Sequence, residues 1–312
     1  HGRGVGNFDD PGCGKTAQAI ATLCATDSFP AIIVCPTTVK PNWAREFAYA
    51  KSPPEVEVVT GKKGAIGGAP VTIINYELLR AREEQLAALQ AKAIVFDEAH
   101  LLTQPKPGVT HRAAVATRLA QWTKHRVIAM TGTPIDKLPE LWRLLHLVAP
   151  DEWPSLEPFL ERYCRSPKDD EAVTSHSPRR IVTSHGRAER LDELQARVQT
   201  VTIRRRKQDV LSDLPALSRR SLLVQLDTHD MQQYREAEKD VVRWLRSQGQ
   251  DEKARNAART IALAKLTELR QRAALGKLRF AVPEYLLTWF DRPAPDPLIL
   301  FAHHQKVVAG LW

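Results

Sequence analysis

Between residues 11 and 16 the chain reads Pro11-Gly12-Cys13-Gly14-Lys15-Thr16, just ahead of an alanine-rich stretch with helical spacing, Ala17 to Cys24. Glycines let the backbone curl so that successive N–H groups face an anion, and a helix starting there adds its positive end. These six residues are the candidate ATP-binding set. Lys15 would reach the β- and γ-phosphates, and the Thr16 hydroxyl would complete a Mg²⁺ shell. Farther on, the apolar run Ala93-Ile-Val-Phe96 ends in Asp97-Glu98-Ala99-His100, an acidic strand end. Asp97 can hold Mg²⁺ through water, and Glu98 can orient an attacking water. Lys15, Asp97 and Glu98 are therefore the catalytic candidates, and Thr16 and Asp97 the metal ligands. A glycine turn or an Asp-Glu helix cap looks the same in isolation. Together, in this order and with Thr131-Gly132-Thr133-Pro134 downstream, they point to phosphoryl transfer to water. Asp9 stands where the usual phosphate-loop pattern starts with glycine, and Pro11 has no N–H to give the cradle.

Groups so far apart in sequence need a frame that gathers them. Over residues 1–150 short apolar runs alternate with helical patterns, which predicts a parallel sheet with helices on both faces. The expected strands are 31–35, 56–59, 71–75, 93–96 and 126–130, with helices near 15–25, 40–50, 76–90 and 110–121. The runs at 31–35, 93–96 and 126–130 are apolar on both faces, as central parallel strands must be. Each ends in a polar cluster: Pro36-Thr37-Thr38, Asp97 to His100, and Thr131 to Pro134. In open parallel sheets ligands sit beyond the carboxyl ends of the strands, so three strands deliver chemistry to the edge that also carries the phosphate loop. Gly61 to Gly68 reads as a flexible loop.

After residue 137 the pattern turns helical and aromatic as far as Tyr163. The polar stretch Ser166 to Pro178 reads as a mobile loop, and Leu191, Leu194, Val198 and Val201 mark an amphipathic helix. Long helical patterns cover 229–247 and 253–275. A proline-rich linker, Pro293 to Pro297, precedes a further strand, 298–302.

At 312 residues two domains are the default, and 43% hydrophobic with 26% charged residues is ordinary for a globular protein. No apolar run spans a bilayer. Cys13, Cys24, Cys35 and Cys164 form no Cys-x-x-Cys pair, so neither zinc nor disulfides are expected. The chain starts with His1, which reads as a piece of a longer protein. Net charge is +9, concentrated in two stripes. Arg179 to Lys207 holds nine basic and three acidic residues, and Lys253 to Arg279 eight basic residues against Glu268. Such stripes suit a polyanion, although solvated helix faces have the same composition.

The motifs, in order, resemble a superfamily-two helicase of the SWI/SNF type: Asp9 to Thr16, Val34 to Thr38, Ile74 to Glu77, Asp97 to His100 and Thr131 to Pro134. Arg204 to Leu211 with Asp213-Leu-Pro215, and Leu269 to Arg272 with Gly276-Lys-Leu278, continue the match. Phe301-Ala-His-His304 is closest to the annealing-helicase branch. The resemblance implies a RecA-like P-loop NTPase lobe with helical insertions and a truncated second RecA-like lobe. By position, 1–150 would be the ATP-binding lobe, 151–220 a helical extension closing it, 221–292 a helical linker region and 293–312 the start of the second lobe. It also implies that His100, Thr131, Gly132 and Thr133 couple nucleotide to DNA. Thr37, Thr38, Asn75, Tyr76 and Arg204, Arg205, Arg206 and Lys207 fall where the family meets or closes on DNA. The implied activity is a DNA-dependent ATPase motor using ATP and Mg²⁺ on duplex or forked DNA, nuclear in a eukaryote and cytoplasmic in a prokaryote or virus. The family's transition-state arginine lies in the second lobe and contributes ~10³-fold or more in related NTPases, so the isolated piece is expected to hydrolyse ATP poorly. A degenerate, non-catalytic DNA-binding module is the alternative, and a metabolic P-loop kinase leaves the basic stripes unexplained.

Overall fold

The computed structural model describes residues 4–103, 109–134, 137–165, 182–183, 186–215, 252–293 and 297–311, with scattered positions between 218 and 239. The chain divides into two compact units, His1–Pro215 and Ala216–Trp312. In the first, the strands in chain order are β1 (Gly4–Asn7), β2 (Ala31–Cys35), β3 (Val56–Val58), β4 (Val71–Asn75), β5 (Ala93–Asp97), β6 (Arg126–Met130), β7 (Cys164–Arg165), β8 (Val182–Thr183), β9 (Gly186–Ala188) and β10 (Thr202–Ile203). The helices are α1 (Lys15–Ala25), α2 (Lys40–Phe47), α3 (Leu79–Ala88), α4 (Val109–Trp122), α5 (Leu138–Val148), α6 (Leu156–Tyr163), α7 (Leu191–Gln199) and α8 (Lys207–Val210).

Seven of these strands form one sheet in the order β10-β1-β6-β5-β2-β4-β3, and every pairing is parallel. Strand side chains alternate between faces, and the core divides accordingly. Ile32, Val34, Ile94 and Phe96 point to one side, against α3, α4 and α5 residues such as Leu79, Leu86, Leu119 and Leu145. Ile33, Cys35, Val95 and Met130 point to the other, against Leu23 of α1 and Trp43 and Phe47 of α2. Each fully buried large aliphatic or aromatic side chain contributes about 1.5–3 kcal/mol, so this double-sided packing, more than any polar contact, holds the frame. The α/β class with helices on both faces is as the apolar runs predict.

Two strands of this sheet have no apolar run to announce them. β1 reads Gly-Val-Gly-Asn, a weak strand by composition. Its glycines are there for close packing: a Cβ on Gly4 would run into the Val148 carbonyl at the end of α5, and one on Gly6 would lie 2.8 Å from the Phe8 ring. β10 follows α7, which stops at Gln199. Val201, expected on the helix face, instead begins the run that pairs with β1. Its carbonyl accepts from Gly6 N at 2.9 Å, and the Ile203 carbonyl accepts from Phe8 N at 2.7 Å. β7, β9 and β8 form a separate small antiparallel sheet.

The loop over Gly61 to Gly68 is tied down, contrary to expectation. Arg82, 4% exposed, donates to the carbonyls of Gly61, Lys63 and Gly64, so a buried guanidinium gives the loop's carbonyls the partners that no strand or helix supplies. The stretch 166–178 lies outside the described residues. In the second unit the stripe Lys253 to Arg279 falls on one long helix, Glu252–Ala281. That helix passes into a π-turn, Val282–Leu287, where Pro283 cannot donate an α-helical bond. The strand expected at 298–302 is irregular chain, with Ile299 and Phe301 exposed. The described residues offer it no neighbouring strand, and a strand is not stable unpaired.

Candidate functional site

The register brings the predicted edge together. Asn7 at the end of β1 and Asp97 at the end of β5 both pair with Met130 of β6, so the two strand ends sit level and about 10 Å apart. From Asn7 the chain enters the loop that starts α1. From Asp97 it turns through Glu98, whose φ of 51° is unusual for a residue with a side chain. The phosphate loop and the acidic pair therefore share one end of the sheet.

The loop has the form of an anion cradle. Gly12 and Gly14 take φ of 89° and 76°, which side chains resist. Nothing lies within 4 Å of a Cβ built on Gly14, so the space above it is open. Gly14 caps α1 with no side-chain bond, which leaves first-turn N–H groups for an anion. Lys15 Nζ donates to the carbonyls of Asp9 at 2.8 Å and Asp10 at 3.2 Å. Its charge is felt by Asp97. The loop thus fits a polyphosphate, which Lys15 would meet by leaving those carbonyls, with Thr16 and Asp97 the residues to hold Mg²⁺.

The acid pair is held from behind. Trp43 Nε1 donates to Asp97 Oδ2 at 2.9 Å, Glu98 N donates to Asp97 Oδ1 at 3.0 Å, and the Tyr76 hydroxyl donates to the Asp97 carbonyl at 2.6 Å. Burial pushes the Asp97 carboxyl above the ordinary carboxylate value, against the pull of the Trp43 and Glu98 N–H donors. His100 Nδ1 lies 3.2 Å from Glu98 Oε2 and 3.0 Å from Thr131 Oγ1. Thr131 Oγ1 also accepts from Thr133 N, and Thr131 N donates to the Asn7 carbonyl. One chain of contacts therefore joins the acid pair, the Thr131–Thr133 turn and the root of the phosphate loop. Gly132 completes it, because a Cβ there would press on the Pro11 ring at 2.9 Å.

The residues expected on DNA separate into groups. Thr37 and Thr38 are exposed at the end of β2. Asn75 and Tyr76 are buried, at 6% and 1% exposure. Asn75 accepts from Lys40 Nζ and donates to Glu77, and Tyr76 supports Asp97, so both side chains serve the interior. Arg204 to Lys207 follow β10 on the far side of β1, beside the phosphate loop and away from Thr37 and Thr38. Part of the first basic stripe is engaged by the fold: half-buried Arg197 stacks on Trp153 at 4.2 Å and bonds the Tyr163 hydroxyl, while Arg205, its side chain 46% exposed, pairs with the buried Asp9.

Asp9 is fully buried, and a buried carboxylate must be paired. Burial works to raise its pKa. The side-chain and main-chain N–H groups of Arg205, with Gln18, outweigh it and hold the carboxyl below its ordinary value. A carboxyl depressed in the fold stabilises above its unfolded value, roughly 3.9, and the contribution disappears as pH falls through the folded value. Asp9→Asn should therefore lower the denaturant midpoint at pH 7, with the gap from wild type narrowing below about pH 4. A gap independent of pH would contradict this. Trp43 and Gln18 carry no motif that marks them as site residues, and only the fold shows that the Trp43 N–H points at Asp97 and the Gln18 amide at Asp9.

This sheet, with its phosphate loop and acidic strand end, is a RecA-like α/β core. The chain belongs to the SNF2-related domain family, whose model matches residues 7–274. It is 28% identical over 312 residues to the Xenopus laevis SWI/SNF-related matrix-associated actin-dependent regulator of chromatin subfamily A-like protein 1, covering 97% of this chain and 30% of that protein. It is 27% identical to the DNA annealing helicase and endonuclease ZRANB3 of Mus musculus, covering 96% of this chain and 27% of that protein. Among solved structures, the Sulfolobus solfataricus SWI2/SNF2 ATPase core in complex with dsDNA matches in fold, with a TM-score of 0.52 at 22% identity over 87% of this chain and 54% of that one. The chain thus spans less than a third of the length of these two relatives.

Proposed function

We propose that the chain is the nucleotide-binding part of a DNA-dependent ATPase motor of the SWI/SNF type, which couples ATP hydrolysis to movement on, or remodelling of, duplex or forked DNA. The observation that carries this reading is the shared edge: the loop that ends in Lys15 and Thr16 leaves the sheet at the same end as Asp97 and Glu98. ATP with Mg²⁺ supplies the anhydride that is cleaved. Lys15 and the loop N–H groups hold the phosphates, Asp97 and Thr16 hold the metal, and Glu98 positions water. His100 and the Thr131–Thr133 turn pass the state of that site to surfaces that hold DNA, Thr37 and Thr38 among them. Residues 1–150 serve as the ATP-binding lobe, 151–220 as its closing extension, 221–292 as a linker region and 293–312 as the entry to a second lobe.

The test is ATP hydrolysis by the full-length protein with no DNA and with single-stranded, duplex and forked DNA. The reading expects stimulation by duplex or forked DNA. Binding to DNA without any hydrolysis would favour the non-catalytic module instead.

A further inference from the structure

The pairing of β10 with β1 does not stop at the end of the sheet. Past Ile203 the main chain stays bound to the loop: the Arg205 carbonyl accepts from Asp10 N at 3.1 Å, Arg205 N donates to Asp9 Oδ1 at 2.8 Å, and Lys207 N donates to Asp10 Oδ2 at 3.0 Å. Arg205 then places its guanidinium across the buried Asp9 carboxylate, with Nε 3.0 Å from Oδ2 and 3.2 Å from Oδ1, and an Nη2 that also donates to Gln18 Oε1 at 2.7 Å. Gln18 in turn donates to the Cys13 carbonyl at 2.7 Å and accepts from Asn7 at 2.9 Å. Asp9 and Asp10 are the two residues whose carbonyls hold Lys15. The start of the phosphate loop, where the common pattern has glycine, is thereby fastened to a segment 196 residues away.

We propose that Arg205 is a positioning residue for the phosphate loop, acting through Asp9 and Gln18 to set the path of residues 9–14 and so the reach of Lys15, with its Nε and Nη2 engaged there rather than on DNA phosphates. The inference rests on the ATP-binding reading above. A side chain at position 9 points its carboxylate inward and needs a cation there; the fork of an arginine can satisfy both carboxylate oxygens and Gln18 together, whereas a lysine ammonium cannot match that geometry. Releasing the fork leaves a buried charge and frees the loop, and small errors of position in a site of this kind are costly.

The experiment compares wild type, Arg205→Ala, Arg205→Lys, Asp9→Asn and Lys15→Ala in the full-length protein. Three quantities are read: affinity for a fluorescent ATP analogue, affinity for duplex DNA without nucleotide, and amide exchange over residues 9–14 in the nucleotide-free protein. Arg205→Ala should weaken the ATP analogue roughly ten- to a hundredfold, speed exchange in the loop and leave DNA affinity unchanged. Arg205→Lys should fall between it and wild type, and Asp9→Asn should move the loop in the same direction. If Arg205→Ala does not fold, the lysine and Asp9→Asn variants carry the same comparison. Wild-type analogue affinity and loop exchange in these variants would overturn the inference, as would a loss confined to DNA affinity. Should wild type and Lys15→Ala hold the analogue equally, the ATP reading itself fails, and the exchange data still decide whether Arg205 shapes the loop.

Discussion

Replacing Lys15 with alanine in the full-length protein should abolish DNA-stimulated ATP hydrolysis while leaving the protein folded and able to hold DNA. Lys15 opens α1 and is only partly buried, and its ammonium bonds two carbonyls of its own loop, at 2.8 and 3.2 Å. Losing those bonds costs the fold little, since net contributions of such contacts are about 1 kcal/mol each. What disappears is the positive charge beside the place where phosphate charge builds up. Removing a single preorganised donor from such a site costs roughly 10²–10³ in rate, and a full charge at the leaving anhydride should cost at least that. Steady-state hydrolysis with duplex DNA, alongside a thermal melt and a DNA titration, checks the three parts. Undiminished hydrolysis would remove Lys15 from the mechanism.

Glu98→Gln should give the complementary result: nucleotide bound, no turnover. The exchange is nearly isosteric, and position 98 keeps the contact to His100 because an amide oxygen can still accept. The strained backbone at φ 51° is a property of the turn and stays. A carboxylate able to align water and take its proton is lost, an effect of roughly 10²–10⁴-fold for positioned bases. Asp97 remains, with Trp43 behind it, so metal and nucleotide binding should persist. Equal affinity for a fluorescent ATP analogue with hydrolysis near background is the expected pair of readings. Hydrolysis at the wild-type rate would assign the water to another residue.

How much of this could be read in advance follows from what each part depends on. β2, β4, β5 and β6 are buried on both faces, and that burial is written directly as apolar runs. The glycine-lysine-threonine loop and the acidic strand end stand out only through their order along the chain with the Thr131–Pro134 turn, since either alone also fits a glycine turn or a helix cap. β1 was hidden because its glycines are set by the close approach of α5 and Phe8, which composition cannot report. β10 was hidden because two residues carry no periodicity, and Val201 fitted the helix that precedes it. The buried roles of Asn75 and Tyr76 depend on Lys40 and Asp97, partners supplied by other strands. The bond between Asp9 and Arg205 spans 196 positions, and local chemistry gives no sign of it. Asp9 takes the place of the usual glycine, and its partner is a guanidinium just past the end of the edge strand β10.

The most direct measurement places the metal. Crystals of the full-length protein grown with a non-hydrolysable ATP analogue and Mn²⁺ in place of Mg²⁺ would locate the ion by anomalous scattering. A single strong peak is expected, bound by the Thr16 hydroxyl, a phosphate oxygen and, directly or through water, the Asp97 carboxylate. A nucleotide seated elsewhere on the sheet, or an ion out of reach of both Thr16 and Asp97, would contradict it.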